Sequence, residues 1–293
     1  MTLTTAPKSG AQPIATATTW RTAPTRTINI GGTPFAYREL GPRSGVPLVF
    51  LHHFSAVLDD WDPRVIDGIA AKRHVIAFDN RGVGASGGSV PHTMDEMAAD
   101  AVAFIRALGY EQVDLLGFSL GGGVAQVITL ERPELVRTVI LAGTGPAGGS
   151  GIEKINRIAA TAYMKAALTL RDPRHYLFFN RTPDGKRAAT DYMARLKERT
   201  EDRDKRISLR ARRAQLKAIR AAGLQTPHDL GKINQPVFIA NGDNDVMVAS
   251  SLSANLAKRI ANAKLTIYPD AGHGGVFQYH REFVPAVLEF LES

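Results

Sequence analysis

Short apolar runs rich in β-branched residues alternate along this chain with stretches whose hydrophobic residues recur every three to four positions. The short runs predict eight strands, at residues 25–30, 35–40, 46–51, 74–78, 113–116, 136–142, 237–240 and 265–268. The run at 46–51 is nearly all apolar, which is typical of a strand covered on both faces. Strands that alternate with helices usually pair in parallel, so the pattern predicts an α/β fold with a mostly parallel sheet of about eight strands flanked by helices.

The helical stretches show their boundaries most clearly where capping residues occur. The Thr93 hydroxyl can cap a helix whose third residue, Glu96, can bond back to the Thr93 backbone, and Gly109 is a suitable end for that helix. Further helices are predicted at 124–130, 152–170, 206–222, 250–260 and 281–291.

The segment 146–227 differs from both of its flanks. It shows no convincing strand and holds 19 Lys and Arg residues against 8 Asp and Glu, whereas the whole chain has 36 and 28. All of the excess positive charge therefore lies in this segment. We expect a helical cap at 146–227 inserted into an α/β core formed by 25–145 and 228–293. Residues 1–24 are rich in Thr, Ala and Pro, have no acidic residue, and are predicted to be a flexible N-terminal tail.

Composition excludes several classes of site and partner. With no Cys, the chain forms no disulfide, thiolate metal site or Cys nucleophile, and a reducing cytoplasmic location is expected. No apolar run approaches the roughly 18 residues of a membrane span. The basic run at 203–213 follows closely on acidic residues, so ion pairing on a solvated helix explains it more simply than nucleic-acid binding.

His52 and His53 lack a visible third ligand, so no metal and no cofactor is expected. The oligomeric state stays open.

A candidate nucleophile lies between a predicted strand and a predicted helix. Residues 117–121 read Gly-Phe-Ser-Leu-Gly, directly after the apolar run at 113–116. A serine on a sharp strand-to-helix turn needs small neighbours two positions away on each side, and Gly117 and Gly121 meet that demand. The alternative is a glycine-rich turn that merely joins the two elements. The context favours Ser119 as a nucleophile.

A serine hydroxyl needs a base to take its proton, and the base needs a carboxylate to orient it. His273 lies in a glycine-flanked loop just after the last predicted strand, where it can reach the carboxyl edge of the sheet. The strand at 237–240 is followed by two candidate carboxylates, Asp243 and Asp245, of which we favour Asp245. The alternatives are that His273 is an ordinary surface histidine and that the aspartates are solvated turn residues. The chain order Ser, Asp, His is the one expected for a nucleophile on such a turn.

With these motifs and the turn Asp-Asn-Arg-Gly-Val-Gly-Ala-Ser at 79–86, the sequence from 25 to 293 resembles the α/β-hydrolase superfamily, in particular small bacterial serine hydrolases with a helical cap. The resemblance implies the α/β-hydrolase fold and a structural role for the turn. It also implies an oxyanion hole made by the backbone N–H groups of Phe54 and Leu120. The departure is His53, which stands where the family usually has glycine.

The resemblance implies a serine hydrolase that cleaves an ester, lactone or related acyl bond of a small molecule with an apolar acyl part. Cofactor-free haloperoxidases, which act by perhydrolysis, and carbon–carbon bond hydrolases retain the same residues. A non-catalytic ligand-binding protein of this fold is the alternative from another class. Five cap side chains could face an apolar acyl pocket, although packing between cap and core explains them equally well: Tyr163, Met164, Tyr176, Phe178 and Phe179.

Overall fold

The computed structural model describes residues 18–149 and 155–293. Its sheet contains eight strands: β1 (Arg26–Ile30), β2 (Thr33–Leu40), β3 (Leu48–Leu51), β4 (Val75–Phe78), β5 (Val113–Phe118), β6 (Val136–Ala142), β7 (Val237–Gly242) and β8 (Ala263–Tyr268). Their spatial order is β1-β2-β4-β3-β5-β6-β7-β8. Strand β2 pairs antiparallel with β1 and β4, and every other neighbouring pair is parallel. The predicted mostly parallel sheet of about eight strands is confirmed.

Ten helices accompany the sheet in the described residues: α1 (Pro63–Ala70), α2 (Met94–Ala107), α3 (Leu120–Glu131), α4 (Ile155–Thr169), α5 (Arg174–Leu177), α6 (Pro183–Arg195), α7 (Leu209–Gly223), α8 (Ser250–Arg259), α9 (Gly275–Gln278) and α10 (His280–Glu292). The predicted capping box of α2 is present, with the Glu96 N–H donating to Thr93 Oγ1 at 3.1 Å. None of the helices in these residues is both long and apolar enough to cross a bilayer.

The inner strands separate two apolar layers. All residues of β3, β4, β5 and β7 are buried. Val49 and Ile76 point into one layer, whereas Leu48 and Val75 point into the other. Alternate side chains therefore face opposite layers, which explains why these strands are mostly apolar rather than alternating in polarity.

The segment 146–227, called the cap segment below, leaves the sheet after β6 and returns to it before β7. Its described residues form α4 to α7 and contain no strand. Buried or partly buried ion pairs join it to the core: Arg195 Nη2 lies 2.7 Å from Asp62 Oδ2, and Arg174 pairs with Asp60. Ion pairs whose charges are withdrawn from water constrain geometry more than exposed pairs do, so these contacts hold the cap segment against the core.

Residues 18–24, part of the predicted flexible tail, are packed against the core and the cap segment. The Trp20 side chain is buried, and its backbone N–H donates to Asp67 Oδ1 at 2.6 Å. Arg199 Nη1 donates to the carbonyl oxygens of Trp20 and Ala23 at 3.1 and 2.9 Å. The predicted boundary at residue 24 is therefore wrong for 18–24, because burial of one indole and capture of the backbone by one arginine outweigh the chain entropy. Residues 1–17 of that prediction lie outside the described residues.

A pair of carboxyl groups joins the 79–86 turn to the cap segment. Asp79 is fully buried, and its Oδ1 accepts the Leu58 N–H at 3.0 Å. Asp204 Oδ2 accepts from the same N–H at 3.2 Å, so the two carboxyl groups meet over one amide. Burial, and then the hydrogen bond and negative charge of Asp204, raise the pKa of Asp79 well above its ordinary value. A proton on Asp79 removes its repulsion by Asp204 and lowers the cost of its burial.

We expect the free energy of unfolding to fall as the pH rises from about 4 through the raised pKa of Asp79. A carboxyl group whose pKa is higher in the folded state stabilises the fold while protonated, and this contribution is lost as it ionises. Asp204→Asn should reduce the fall, because a neutral amide donates to the Asp79 carboxylate without repelling it. Each unit by which the substitution lowers the pKa of Asp79 corresponds to about 1.4 kcal/mol. Urea unfolding between pH 4.5 and 8 measures this.

The matched control is Asp191→Asn, which removes an exposed carboxylate from α6. It should leave the pH dependence of the wild type in place. An Asp204→Asn variant whose unfolding free energy depends on pH as steeply as that of the wild type would contradict the effect of Asp204 on the pKa of Asp79.

Candidate functional site

Ser119 occupies a strained turn between β5 and α3. Its backbone has φ +55° and ψ −113°, a left-handed conformation that costs a non-glycine residue on the order of 1–3 kcal/mol. A Cβ on Gly117 would lie 2.3 Å from the carbonyl oxygen of Gly121, and one on Gly121 would lie 2.1 Å from that of Leu51. The prediction that both positions must lack a side chain is confirmed, since backbone occupies the space.

The turn is fastened to the sheet and to the helix that follows it. The Ser119 N–H donates to the Ala142 carbonyl at the end of β6 at 2.8 Å, and the Ser119 carbonyl accepts from Gly122 N–H at 2.9 Å. Helix α3 starts at Leu120, so its first N–H groups and the positive end of its dipole lie beside the serine. This arrangement favours negative charge near Ser119.

His273 and Asp245 come from the loops after β8 and β7, two neighbouring parallel strands whose carboxyl ends share one edge of the sheet. His273 Nδ1 lies 2.7 Å from Asp245 Oδ2, and both side chains are buried. Asp245 Oδ1 accepts the N–H groups of Met247 and Val248 at 2.7 and 2.9 Å, which holds the carboxylate in place. With Nδ1–H donating to Asp245, Nε2 carries the lone pair of the neutral imidazole, and among the described residues it has no hydrogen-bond partner.

Asp243, the other candidate carboxylate, has a different position. It is exposed, and its Oδ1 accepts the N–H of Ala271 at 3.1 Å, two residues before His273. The structure therefore brings Asp245 to the imidazole, as expected, while Asp243 shapes the loop that carries His273.

Ser119 lies at the boundary of two cavities beneath the cap segment. The larger, of about 430 Å³, is lined by both Ser119 and His273 and also by Phe54. The smaller, of about 50 Å³, is lined by Ser119, by Leu120 and mainly by apolar or small residues of α3, α7, α8 and the loop after β6. A substrate that reaches the serine can extend one part into each cavity.

In the loop after β3, His53 stands where the family usually has glycine, but its φ is not positive. The residue of this loop with a positive φ is Ser55, at +65°. His53 Nδ1 lies 2.9 Å from the Phe54 carbonyl oxygen, and burial lowers the pKa of His53 to about 4. Burial also lowers the pKa of His52, to about 3. Both imidazoles are therefore neutral near pH 7. No three His, Asp or Glu side chains gather as metal ligands within 18–149 and 155–293.

Two of the five cap side chains predicted to contact substrate reach the cavity of Ser119. Tyr163 and Phe178 line it, and the Arg212 guanidinium carbon lies 4.9 Å from the centroid of the Tyr163 ring. Met164 is 61% exposed and Tyr176 lines a different surface cavity. Phe179 packs inside the protein, 5.5 Å from the ring of Tyr192. The structure does not bring these three residues to the site, because each projects from a different side of its helix or loop.

Sequence reasoning did not identify the charged lining of the larger cavity. Arg174 is the most buried cation there; burial opposes its charge, but Asp60 and Asp172 outweigh burial, and the pKa of Arg174 is raised. The other charged side chains in the lining are Asp59, Lys197, Arg203, Asp204, Arg206 and Arg212. The excess of positive charge in 146–227 was the available signal, yet only the folded chain shows which charges face Ser119.

The chain is similar to known proteins over most of its length. Residues 46–278 match the model of the alpha/beta hydrolase fold. A non-heme haloperoxidase of Rhodococcus erythropolis is 30% identical over 272 residues, covering 89% of this chain and 97% of that protein. A non-heme chloroperoxidase of Streptomyces lividans is 28% identical, with the same coverage of both chains.

Among solved structures, an alpha/beta hydrolase fold protein from Chitinophaga pinensis superposes with a TM-score of 0.90 at 38% identity, covering 94% of this chain and 100% of that one. The chain belongs to the α/β-hydrolase family.

Proposed function

We propose that this chain is a serine hydrolase that cleaves an ester, lactone or related acyl bond, with Ser119 as nucleophile, His273 as base and Asp245 as the orienting carboxylate. The observation that carries the proposal is the buried His273–Asp245 hydrogen bond of 2.7 Å beside a cavity that Ser119 also lines. A histidine held through Nδ1 directs its basic Nε2 away from the carboxylate, which is the state that a general base requires.

The reaction follows from these groups. His273 Nε2 takes the proton of Ser119 as its Oγ bonds to the carbonyl carbon, and the carbonyl electrons move to oxygen. The backbone N–H groups of Phe54 and Leu120 would hold that oxyanion, each worth about 3 to 4 kcal/mol of transition-state stabilisation. The imidazolium then protonates the leaving group, and the Asp245 carboxylate stabilises its charge. Water, deprotonated by His273, releases the acid from the acyl-enzyme and restores the Ser119 hydroxyl.

The relatives support a second candidate function on the same residues. Two of them are named as non-heme haloperoxidases or chloroperoxidases. In perhydrolysis, Ser119 would form an acyl-enzyme from an organic acid, and hydrogen peroxide instead of water would attack it, so that a peracid leaves. The peracid, rather than the protein, would then oxidise a halide. Carbon–carbon bond hydrolysis uses the same three side chains, and nothing observed in this cavity favours it over acyl transfer.

Asp245→Asn should lower kcat for a short-chain nitrophenyl ester by about 10⁴-fold, because the amide favours the wrong imidazole tautomer. Asp243→Asn is the matched control, since its amide oxygen can still accept the Ala271 N–H. It should stay within a few-fold of the wild type. Nitrophenol release measures both. Equal losses in the two variants would contradict the assignment of Asp245.

A fluorophosphonate probe should label Ser119, because its phosphorus reacts with an activated serine oxygen. Ser119→Ala should abolish both labelling and ester turnover. Peptide mapping by mass spectrometry locates the label. Ser55 lines the same cavity and provides an internal control. Labelling at Ser55, or ester turnover that survives Ser119→Ala, would contradict the proposal, and a chain that binds ligands without turnover would take up no label.

Perhydrolysis predicts that bromination of a dye by hydrogen peroxide and bromide requires an added carboxylate such as acetate. The rate should rise with acetate concentration and disappear in Ser119→Ala. Buffers without a carboxylate are the control. Bromination that proceeds equally without acetate would exclude the acyl-enzyme route for this second function.

A further inference from the structure

We propose that the cap segment selects substrates in which an anionic group, such as a carboxylate, lies on one side of the scissile bond and a short apolar group lies on the other. The proposal deepens the serine hydrolase function above and rests on it. The residues assigned to recognition of the anion are Lys197 and Arg206, supported by Arg212.

The two cavities beside Ser119 differ in size and polarity. The smaller one, about 50 Å³, is lined by Met94, Ile219, Val248 and Leu252 together with small residues, and no charged side chain is present among its described lining residues. It has room for little more than a short alkyl group. The larger one, about 430 Å³, is lined by charged side chains on its cap side. One end of a substrate would therefore contact an apolar cavity, and the other end would contact charged side chains.

The carboxylates of the larger cavity are already engaged. Asp59 accepts from Arg38 Nη1 at 2.7 Å and lies 3.2 Å from Arg203 Nε, while Asp60 and Asp172 both pair with Arg174. The fourth aspartate of the lining, Asp204, meets Asp79 over the Leu58 N–H. Each of these carboxyl groups is therefore already engaged by groups of the protein.

The cations show the opposite balance. Arg174 and Arg203 are paired, but Lys197, Arg206 and Arg212 have no carboxylate partner among the described residues. Arg212 lies over the Tyr163 ring, which is itself part of the lining. Lys197 and Arg206 are exposed residues that line the cavity. Three cations of the lining thus have no carboxylate partner among the described residues, and the anionic group of a substrate would pair with them.

The experiment compares esters that carry a free carboxylate with the same esters in which that carboxylate is methylated. The first pair is 4-acetoxybenzoate and its methyl ester, in which the short apolar group is the acetyl group of the acyl part. The second pair is monomethyl succinate and dimethyl succinate, in which the short apolar group is the methyl group of the alcohol part. In one of the two pairs, the wild type should have a kcat/KM at least tenfold higher for the acid than for the neutral ester. The preferred pair identifies which side of the bond enters the small cavity.

Arg206→Gln and Lys197→Gln should each lower the acid-to-neutral ratio of kcat/KM about fivefold or more, and Arg206→Lys should retain it. Lys186→Gln and Arg210→Gln remove exposed cations of α6 and α7 that do not line the cavity, and they should leave the ratio unchanged. Raising the ionic strength from about 10 mM to 300 mM should reduce the ratio in the wild type, because salt shortens the range of the interaction.

Calorimetric measurement of the binding of 4-acetoxybenzoate and monomethyl succinate to Ser119→Ala separates this proposal from the catalytic one. Tighter binding of the acid than of its neutral ester, lost in the double variant with Arg206→Gln, supports the anion site even if the wild type turns over neither ester. Equal kcat/KM for acid and neutral ester in both pairs, or equal loss of the ratio in Arg210→Gln and Arg206→Gln, overturns it.

Discussion

A Cβ on residue 121 would lie only 2.1 Å from the carbonyl oxygen of Leu51, and a Cβ on residue 117 would lie only 2.3 Å from the carbonyl oxygen of Gly121. Backbone touching backbone at these two points lets α3 start directly against the ends of β3 and β5. The serine between them is forced into a positive φ and carried beyond the sheet edge. The strain is tolerated because the core on both faces of the sheet holds every strand around it.

The same edge places His273 in the lining of the cavity that Ser119 also lines, and Asp245 against His273, although the three residues are far apart in sequence. Strands β7 and β8 are parallel neighbours, so the loops after them leave the sheet side by side. Asp245 is held by two backbone N–H groups and in turn holds His273. Phe178 of the cap segment packs against the same imidazole, with ring centroids 5.5 Å apart, so both the sheet edge and the cap segment position it.

The cap segment brings charged side chains to the cavity that Ser119 and His273 line. Its ion pairs with Asp59, Asp60 and Asp62 seat it over the site, and its unpaired cations face the larger cavity. The aromatic side chains of this segment divide between these tasks: Phe178 lines the cavity, while Phe179 packs inside.

The sequence by itself determined the strands, the helix caps, the glycine-flanked serine and the order of the three polar residues, because each depends on the properties of a few consecutive positions. Only the tertiary structure decided that Asp245 rather than Asp243 meets His273, that Tyr163 and Phe178 rather than Met164 face Ser119, and that residues 18–24 are packed. These outcomes depend on contacts between residues 28 to more than a hundred positions apart. Local pattern cannot decide them, because directions at the ends of loops and helices are set by packing on the rest of the chain.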